Sequence, residues 1–209
     1  MYCATNKYDQ LYSRWLENPG KLLDFAEFTP SERLLDLCGG TGAVSKEALR
    51  RGAQNVTLVD LNPRCTDPRV SSFARDLTHE INFQNLGTFD ICVIRQALGY
   101  LNLHPLVLGL APMLPYKGAK VVFNTFVAPR WKTSLYRHQE RLYGEMSGHY
   151  GAKVFHVQVC SEGFDFSIFK YHKHVDIVDA FTPWFNLTCL RTKGRSLYYL
   201  FERTAVPAR

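Results

Sequence analysis

The residues of this chain best suited to chemistry are a glycine turn and a few acids at the ends of apolar runs. Leu34-Leu35-Asp36-Leu37-Cys38-Gly39-Gly40-Thr41-Gly42-Ala43-Val44-Ser45 reads as a buried strand, a tight turn and the start of a helix. Glycines lack a Cβ and tolerate positive φ, so backbone in such a turn can approach a nucleoside-type ligand closely. A second apolar run, Val56-Thr57-Leu58-Val59, ends on Asp60. A carboxylate at the tip of the neighbouring strand can grip a ribose diol through two O–H···O⁻ hydrogen bonds. Further along, Asp76 precedes Leu77, and Arg95-Gln96 closes the run Phe89-Asp90-Ile91-Cys92-Val93-Ile94.

The elements that position these residues follow from periodicity and turn chemistry. Apolar residues at 8, 11, 12, 15 and 16 predict one helix, closed by Asn18-Pro19-Gly20, and a second covers Lys21 to Phe28. Strand one is Arg33 to Leu37. The helix after the turn runs from Ala43 to Arg51 and stops at Gly52, a suitable C′ residue. Strands follow at Val56 to Asp60, Val70 to Phe73, Phe89 to Arg95 and Lys120 to Phe126, with a helix from His104 to Leu114. This alternation implies a parallel α/β sheet. The rhythm then changes. Val154 to Cys160 and Phe164 to Tyr171 alternate like strands around Ser161-Glu162-Gly163 and predict a hairpin. A short helix from Val175 to Phe181 precedes two terminal strands, Trp184 to Arg191 and Ser196 to Glu202. Joined by a short turn, those two must be antiparallel.

Bulk properties narrow the classes. A chain of 209 residues fits one domain, and 46% hydrophobic with 21% charged residues is ordinary for a globular protein. The net charge of +6 is spread without a basic run, which favours a mildly basic cytoplasmic enzyme over a nucleic-acid binder. The N-terminus shows no apolar signal core, and the apolar stretch from Leu106 to Met113 falls far short of the ~20 residues that span a bilayer. Six cysteines at 3, 38, 65, 92, 160 and 189 form no C-x-x-C, so free thiols are expected rather than disulfides or a metal site.

Taken together, these motifs resemble those of the class I S-adenosylmethionine-dependent methyltransferases. That family's glycine motif is an acid, one residue, then G-x-G-x-G; here Asp36-Leu37-Cys38-Gly39-Gly40-Thr41-Gly42 matches at the acid and the last two glycines, with Cys38 in place of the first. The resemblance implies S-adenosyl-L-methionine as cofactor, with Asp60 and Leu61 at the ribose and Asp76 and Leu77 at the adenine. It places Arg95 and Gln96 beside the methionine portion, and the turn Asp36, Cys38, Gly39, Gly40 and Gly42 against the ligand. Tyr8 is a candidate aromatic rim for the sulfonium. The implied fold is a Rossmann-like seven-stranded sheet with the last strand antiparallel and an inserted β-hairpin lid. It forms a single domain over 1–209, with an N-terminal helical cap at 1–30 and the lid insertion at 128–174. Downstream, the layout is similar to that of bacterial sugar N-methyltransferases, which implies a small-molecule methyl acceptor. A dimer is one option for the assembly.

Each site residue also has a plainly structural reading. Asp60 can cap the following turn, Asp76 can start a helix, Arg95 can pair with Asp90 or cap backbone, and Gly40 with Gly42 can form a simple tight turn. Catalysis needs no base for a neutral amine acceptor, because placing it in line supplies much of the rate. A hydroxyl acceptor needs one. His156 is the leading candidate, since hairpin alternation sets His156 and Gln158 on one face. Tyr143 is comparable, and His104, His138, His149, His172 and His174 are further histidines. Three rivals stand beside this reading. Gly40-x-Gly42-x-x-Ser45 nearly makes a nicotinamide-dehydrogenase fingerprint, but antiparallel terminal strands do not suit that fold. A nucleic-acid methyltransferase of the exocyclic-nitrogen type would show Asp/Asn-Pro-Pro-aromatic where this chain has Arg95-Gln96-Ala97-Leu98-Gly99-Tyr100. A non-catalytic cofactor-binding protein differs only by the absence of turnover.

Overall fold

The computed structural model describes residues 18–77, 83–126, 153–155, 169–193 and 196–204. Asn18-Pro19-Gly20 opens the helix expected from Lys21; the helix it was expected to close lies outside the described residues. Asn18 Oδ1 accepts the Gly20 N–H at 2.8 Å, and Pro19 takes the first position of α1 (Pro19–Phe25), where its missing N–H costs nothing. The helix ends before Phe28 because Glu27 turns left-handed at φ 49° and the Phe28 N–H bonds back to the Leu23 carbonyl.

Next come β1 (Leu34–Leu37), α2 (Ala43–Arg50), β2 (Val56–Asp60), β3 (Val70–Ala74) and β4 (Ile91–Arg95). Gly52, at φ 94°, ends α2 as expected: its N–H reaches the Leu49 carbonyl while that of Ala53 reaches Ala48, a Schellman motif. A short 3-10 turn (Leu98–Tyr100), α3 (Leu103–Met113) and β5 (Lys120–Phe126) follow, then β6 (Lys153–Phe155), β7 (Phe169–Tyr171), α4 (His174–Phe181), β8 (Phe185–Lys193) and β9 (Ser196–Arg203).

Seven strands form one sheet in the order β3-β2-β1-β4-β5-β9-β8. β1 pairs in parallel with both β2 and β4, and β4 with β5; β9 runs antiparallel between β5 and β8. The expected mixed sheet with its antiparallel final strand is therefore present. The chain order reverses between β1 and β4, and such a switch point opens a crevice at the carboxyl ends of the strands. β1 and β4 lie between helical layers, which is why their sequences are near-continuous apolar runs. One face buries Leu35, Leu37, Ile94, Phe123 and Phe201 with residues of α3 and α4; the other buries Leu34, Leu58, Val93 and Val122 with residues of α1 and α2. Phe123 stacks on Tyr199, and Phe181 on Phe201, stitching α4 to the sheet.

β6 and β7 pair antiparallel, Lys153 opposite Tyr171 and Phe155 opposite Phe169, and β7 lies against the 3-10 turn after β4. The rest of the expected hairpin lies outside the described residues, as does the N-terminal cap before Asn18. No described helix is long and apolar enough to cross a membrane.

Candidate functional site

The register ends three central strands together: Leu37 stands opposite both Val59 and Ile94, and the Cys38 N–H bonds the Val59 carbonyl at 2.7 Å. Alternation along each strand then fixes which side chains share a face. Asp36 follows Leu34, Asp60 follows Leu58, Arg95 follows Val93 and Asn124 follows Val122, all on the α1–α2 face. An apolar layer thus gives way to a polar one at the carboxyl edge of the sheet.

Asp36 is fully buried. Its Oδ2 accepts from the Ser45 N–H at 3.0 Å and from the Ser45 hydroxyl at 2.7 Å, which ties β1 to the first turn of α2. Its Oδ1 is buried without a hydrogen-bond partner. Burial pushes this carboxyl up to about 6, against the pull of the Ser45 hydrogen bonds and the Arg95 charge, while the Asp60 charge adds to the push. Gly39 is required by this carboxylate: a Cβ there would lie 2.6–2.8 Å from the Asp36 carboxyl atoms.

Gly42, at φ 73°, caps α2 in the left-handed region, and a Cβ would meet Cys65 Sγ at 2.6 Å. Gly40 differs. Its φ is 53°, and a Cβ would meet nothing within 4 Å, so the turn faces open space there. The Gly40 N–H donates to Asp60 Oδ2 at 3.0 Å, and the Asn62 N–H to Asp60 Oδ1 at 2.9 Å. Asp60 is thus both a turn cap and a brace for the glycine turn. Each of its oxygens, holding one of these bonds, retains a second lone pair.

Two non-glycine residues at this edge are also left-handed, Cys38 at φ 58° and Gln96 at φ 54°. Cys38 occupies the place where the glycine motif has its first glycine, so the departure from that motif is carried as backbone strain. Burial raises its thiol, and the Asp60 and Asp36 charges add to the push, so the thiol form is favoured over the thiolate. Gln96 is buried, and its N–H donates to Asn124 Oδ1 at 3.1 Å; Asn124 Nδ2 is buried without a partner.

Arg95 does not pair with Asp90, whose carboxylate is taken by the Arg33 N–H, Nε and Nη2 at 2.9 Å each. Leu61 is half-buried beyond Asp60. Asp76 is exposed just past β3, and Leu77 is buried in the core. The Arg75 N–H bonds the Asp60 carbonyl at 2.9 Å and so holds this segment beside β2. Tyr8, Tyr143, His138, His149 and His156 lie outside the described residues. His104 is exposed on α3. His172 Nε2 lies 3.3 and 3.1 Å from the Leu98 and Leu101 carbonyls, and His174 Nδ1 lies 3.1 Å from the Tyr199 hydroxyl.

Asp36, Cys38, Gly39, Gly40, Gly42, Asp60, Arg95 and Gln96 therefore meet at one edge. Sequence reasoning missed the parts played by Ser45 and Asn124. For Asn124 the signal was a lone amide inside the apolar run Val121-Val122-Phe123; for Ser45 it was the serine standing where a dinucleotide fingerprint would have glycine.

With this geometry in view, comparison with known proteins is specific. A family model described as a methyltransferase domain matches residues 8–165. The chain belongs to this methyltransferase family. The family and enzyme class expected from the glycine motif and Asp60 are thereby borne out. No curated protein shows detectable similarity. Among solved structures, a SAM-dependent methyltransferase from Methanosarcina mazei superposes with a TM-score of 0.67 at 15% identity, over 87% of this chain and 96% of that one. The Burkholderia thailandensis 1,6-didemethyltoxoflavin-N1-methyltransferase, with bound 1,6-didemethyltoxoflavin and S-adenosylhomocysteine, gives 0.60 at 13% identity, over 90% and 76%. A Rhodobacter sphaeroides protein described as a candidate zinc-dependent alcohol dehydrogenase gives 0.65 at 16% identity, over 90% of each. At these identities the likenesses speak to the fold. The methyltransferase fold is the one the sheet order had already described.

Proposed function

We propose that this methyltransferase carries the methyl group of S-adenosyl-L-methionine to a nitrogen or oxygen of a small-molecule acceptor. The observation that carries the reading is the open backbone at Gly40, with the Asp60 carboxylate braced beside it at 3.0 Å and the unpartnered Asp36 Oδ1 buried behind the same turn. When bound, the cofactor supplies a methyl group already activated by a sulfonium charge.

In this reading Asp60 accepts the ribose hydroxyls on its remaining lone pairs, with Leu61 beside it. Asp36 offers its spare oxygen to the cationic amino end, and Arg95 and Gln96 flank the methionine portion. Asp76 accepts from the adenine amino group beside Leu77, and Tyr8 from the 1–30 cap faces the sulfonium. The 1–30 cap and the 128–174 lid shape the acceptor pocket and exclude water. An amine acceptor needs only orientation, so proximity accounts for most of the rate; a hydroxyl acceptor engages His156 or Tyr143 as base. The small-molecule acceptor is supported by the 1,6-didemethyltoxoflavin-N1-methyltransferase among the structural neighbours and by the lack of a Pro-Pro-aromatic segment after β4. Free Cys38, Cys65, Cys92 and Cys189 support a cytoplasmic setting.

Calorimetric titration with S-adenosylhomocysteine, with NAD⁺ and NADP⁺ in parallel, tests the reading. Micromolar binding of the homocysteine compound alone supports it and opens an acceptor screen among amines and phenols. Binding of a nicotinamide nucleotide instead overturns it.

A further inference from the structure

The turn that leaves β4 is held from two sides. From within the sheet, Asn124 Oδ1 takes the Gln96 N–H at 3.1 Å and so supports Gln96 in its left-handed conformation. From the other side, half-buried His172 sets Nε2 at 3.3 Å from the Leu98 carbonyl and 3.1 Å from that of Leu101. Facing two acceptors, Nε2 must carry the hydrogen, in the neutral ring or the imidazolium. Within the turn itself, the Tyr100 N–H bonds Ala97 and the Leu101 N–H bonds Leu98, at 3.0 Å each.

His172 directly follows β7, which lies against this same turn. Two residues on, at the first position of α4, His174 reaches the Tyr199 hydroxyl of β9 at 3.1 Å and stacks on its ring. Among the described residues, the junction between the β6–β7 insertion and the core is thus anchored on the β4 exit turn and on the antiparallel strand. Of these two contacts, the first touches the turn that follows the segment assigned to the cofactor.

We propose that His172 is a positioning residue: it couples the seating of the β6–β7 insertion to the order of the Gln96–Leu101 turn, and through that turn to cofactor affinity. This inference rests on the methyltransferase site described above. The coupling is physical. The carbonyls of Leu98 and Leu101 are fixed only as far as their partners are, and a left-handed Gln96 persists only where its surroundings over-determine it. Removing the imidazole donor leaves two carbonyls of the turn without that partner and lets the turn sample conformations that do not fit the ligand.

The test uses the full chain with His172→Leu, His172→Gln and His174→Leu. Titration with S-adenosylhomocysteine is combined with hydrogen exchange of the Tyr100 and Leu101 amides. His172→Leu should weaken S-adenosylhomocysteine about fivefold, the scale of one net hydrogen bond, and speed exchange at both amides. His172→Gln, which keeps an N–H donor, should recover much of both. His174→Leu should leave both as in the wild type. Wild-type affinity in His172→Leu overturns the proposal. So does a glutamine variant no better than leucine, or an equal loss in His174→Leu, because either result marks general loosening of the insertion. If the wild type itself fails to bind S-adenosylhomocysteine, the functional reading falls first. The clamp is then decided by exchange alone, and unchanged protection in His172→Leu overturns it.

Discussion

The two edges of the sheet solve opposite problems with the same strands. At the amino edge, charges close on one another. Arg33, just before β1, spans to Asp90, just before β4, through three 2.9 Å contacts, and its Nη1 reaches Thr88. Lys120, at the start of β5, bonds Glu32 at 2.7 Å and the Ala26 carbonyl at 2.8 Å. Arg203 is the exception: its Nε lacks a partner, while its guanidinium lies over Trp184 and Phe185. At the carboxyl edge the arrangement is left unfinished. Asp36 Oδ1 and Asn124 Nδ2 are buried without partners, and Cys38 and Gln96 hold left-handed backbone without being glycine, as Glu27 does in the exposed turn after α1. Buried polar groups are normally satisfied, and strain of this sort concentrates at functional sites. One edge is built for the fold; the other retains bonding capacity for something that arrives later.

The glycines of the turn separate packing from ligand access. Gly42→Val should lower unfolding free energy by about 3 kcal/mol, since it combines a left-handed β-branched residue with a Cβ 2.6 Å from Cys65 Sγ. Gly40→Ala, which meets no atom, should cost only about 1 kcal/mol of stability yet lose more than that in S-adenosylhomocysteine affinity. Urea melts beside calorimetry separate the two; equal effects on stability would remove the distinction between packed and open glycine.

Asp36 sharpens the contrast because fold and ligand pull it in opposite directions. Its folded value of about 6 lies above the ordinary 3.8. The folded state therefore binds the proton more tightly, so this residue's contribution to stability is fully present below about pH 4 and is lost as pH rises through about 6. The loss is at most about 3 kcal/mol by linkage. Over the same window S-adenosylhomocysteine should bind more tightly, as the carboxylate proposed to accept its ammonium ionises. Asp36→Asn should flatten both profiles. Parallel slopes for stability and affinity would sink the assignment.

A matched pair comes next. Asp60→Ala should weaken S-adenosylhomocysteine by ~1–3 kcal/mol, the scale of lost hydrogen bonds to a charged group. Asp90→Ala should leave affinity unchanged and destabilise by about 1 kcal/mol, a modest value because its partly exposed pair with Arg33 is screened by solvent. Exchanged outcomes would invert the roles of the two edges. The smallest effect belongs to Cys38→Gly, which should raise stability by about 1 kcal/mol or less by relieving the left-handed strain, read as a shift in urea midpoint.

Much of this was legible in the chain itself. Apolar runs buried on both faces, the glycine turn, Gly52 as a helix stop and the two short-linked terminal strands are local signals. Each depends on backbone sterics or on one periodicity, so neighbours in sequence carry it. The bounds of the helix after Asn18 were less legible: it starts at Pro19 rather than Lys21 and stops at Phe25 rather than Phe28, because Asn18 caps it and Glu27 turns left-handed. What sequence could not show was pairing between distant residues. That Asp90 belongs to Arg33 and leaves Arg95 to the other edge depends on how β1 and β4 lie side by side. That Ser45 holds Asp36, that Asn124 holds Gln96, and that His172 rather than another histidine reaches the β4 exit turn also depend on strand register and on where the insertion returns. Local chemistry in the chain sets which residue types can make a methyltransferase edge. Strand register then settles which of them spend their hydrogen bonds on one another and which, like Asp36 Oδ1, are left with one to give.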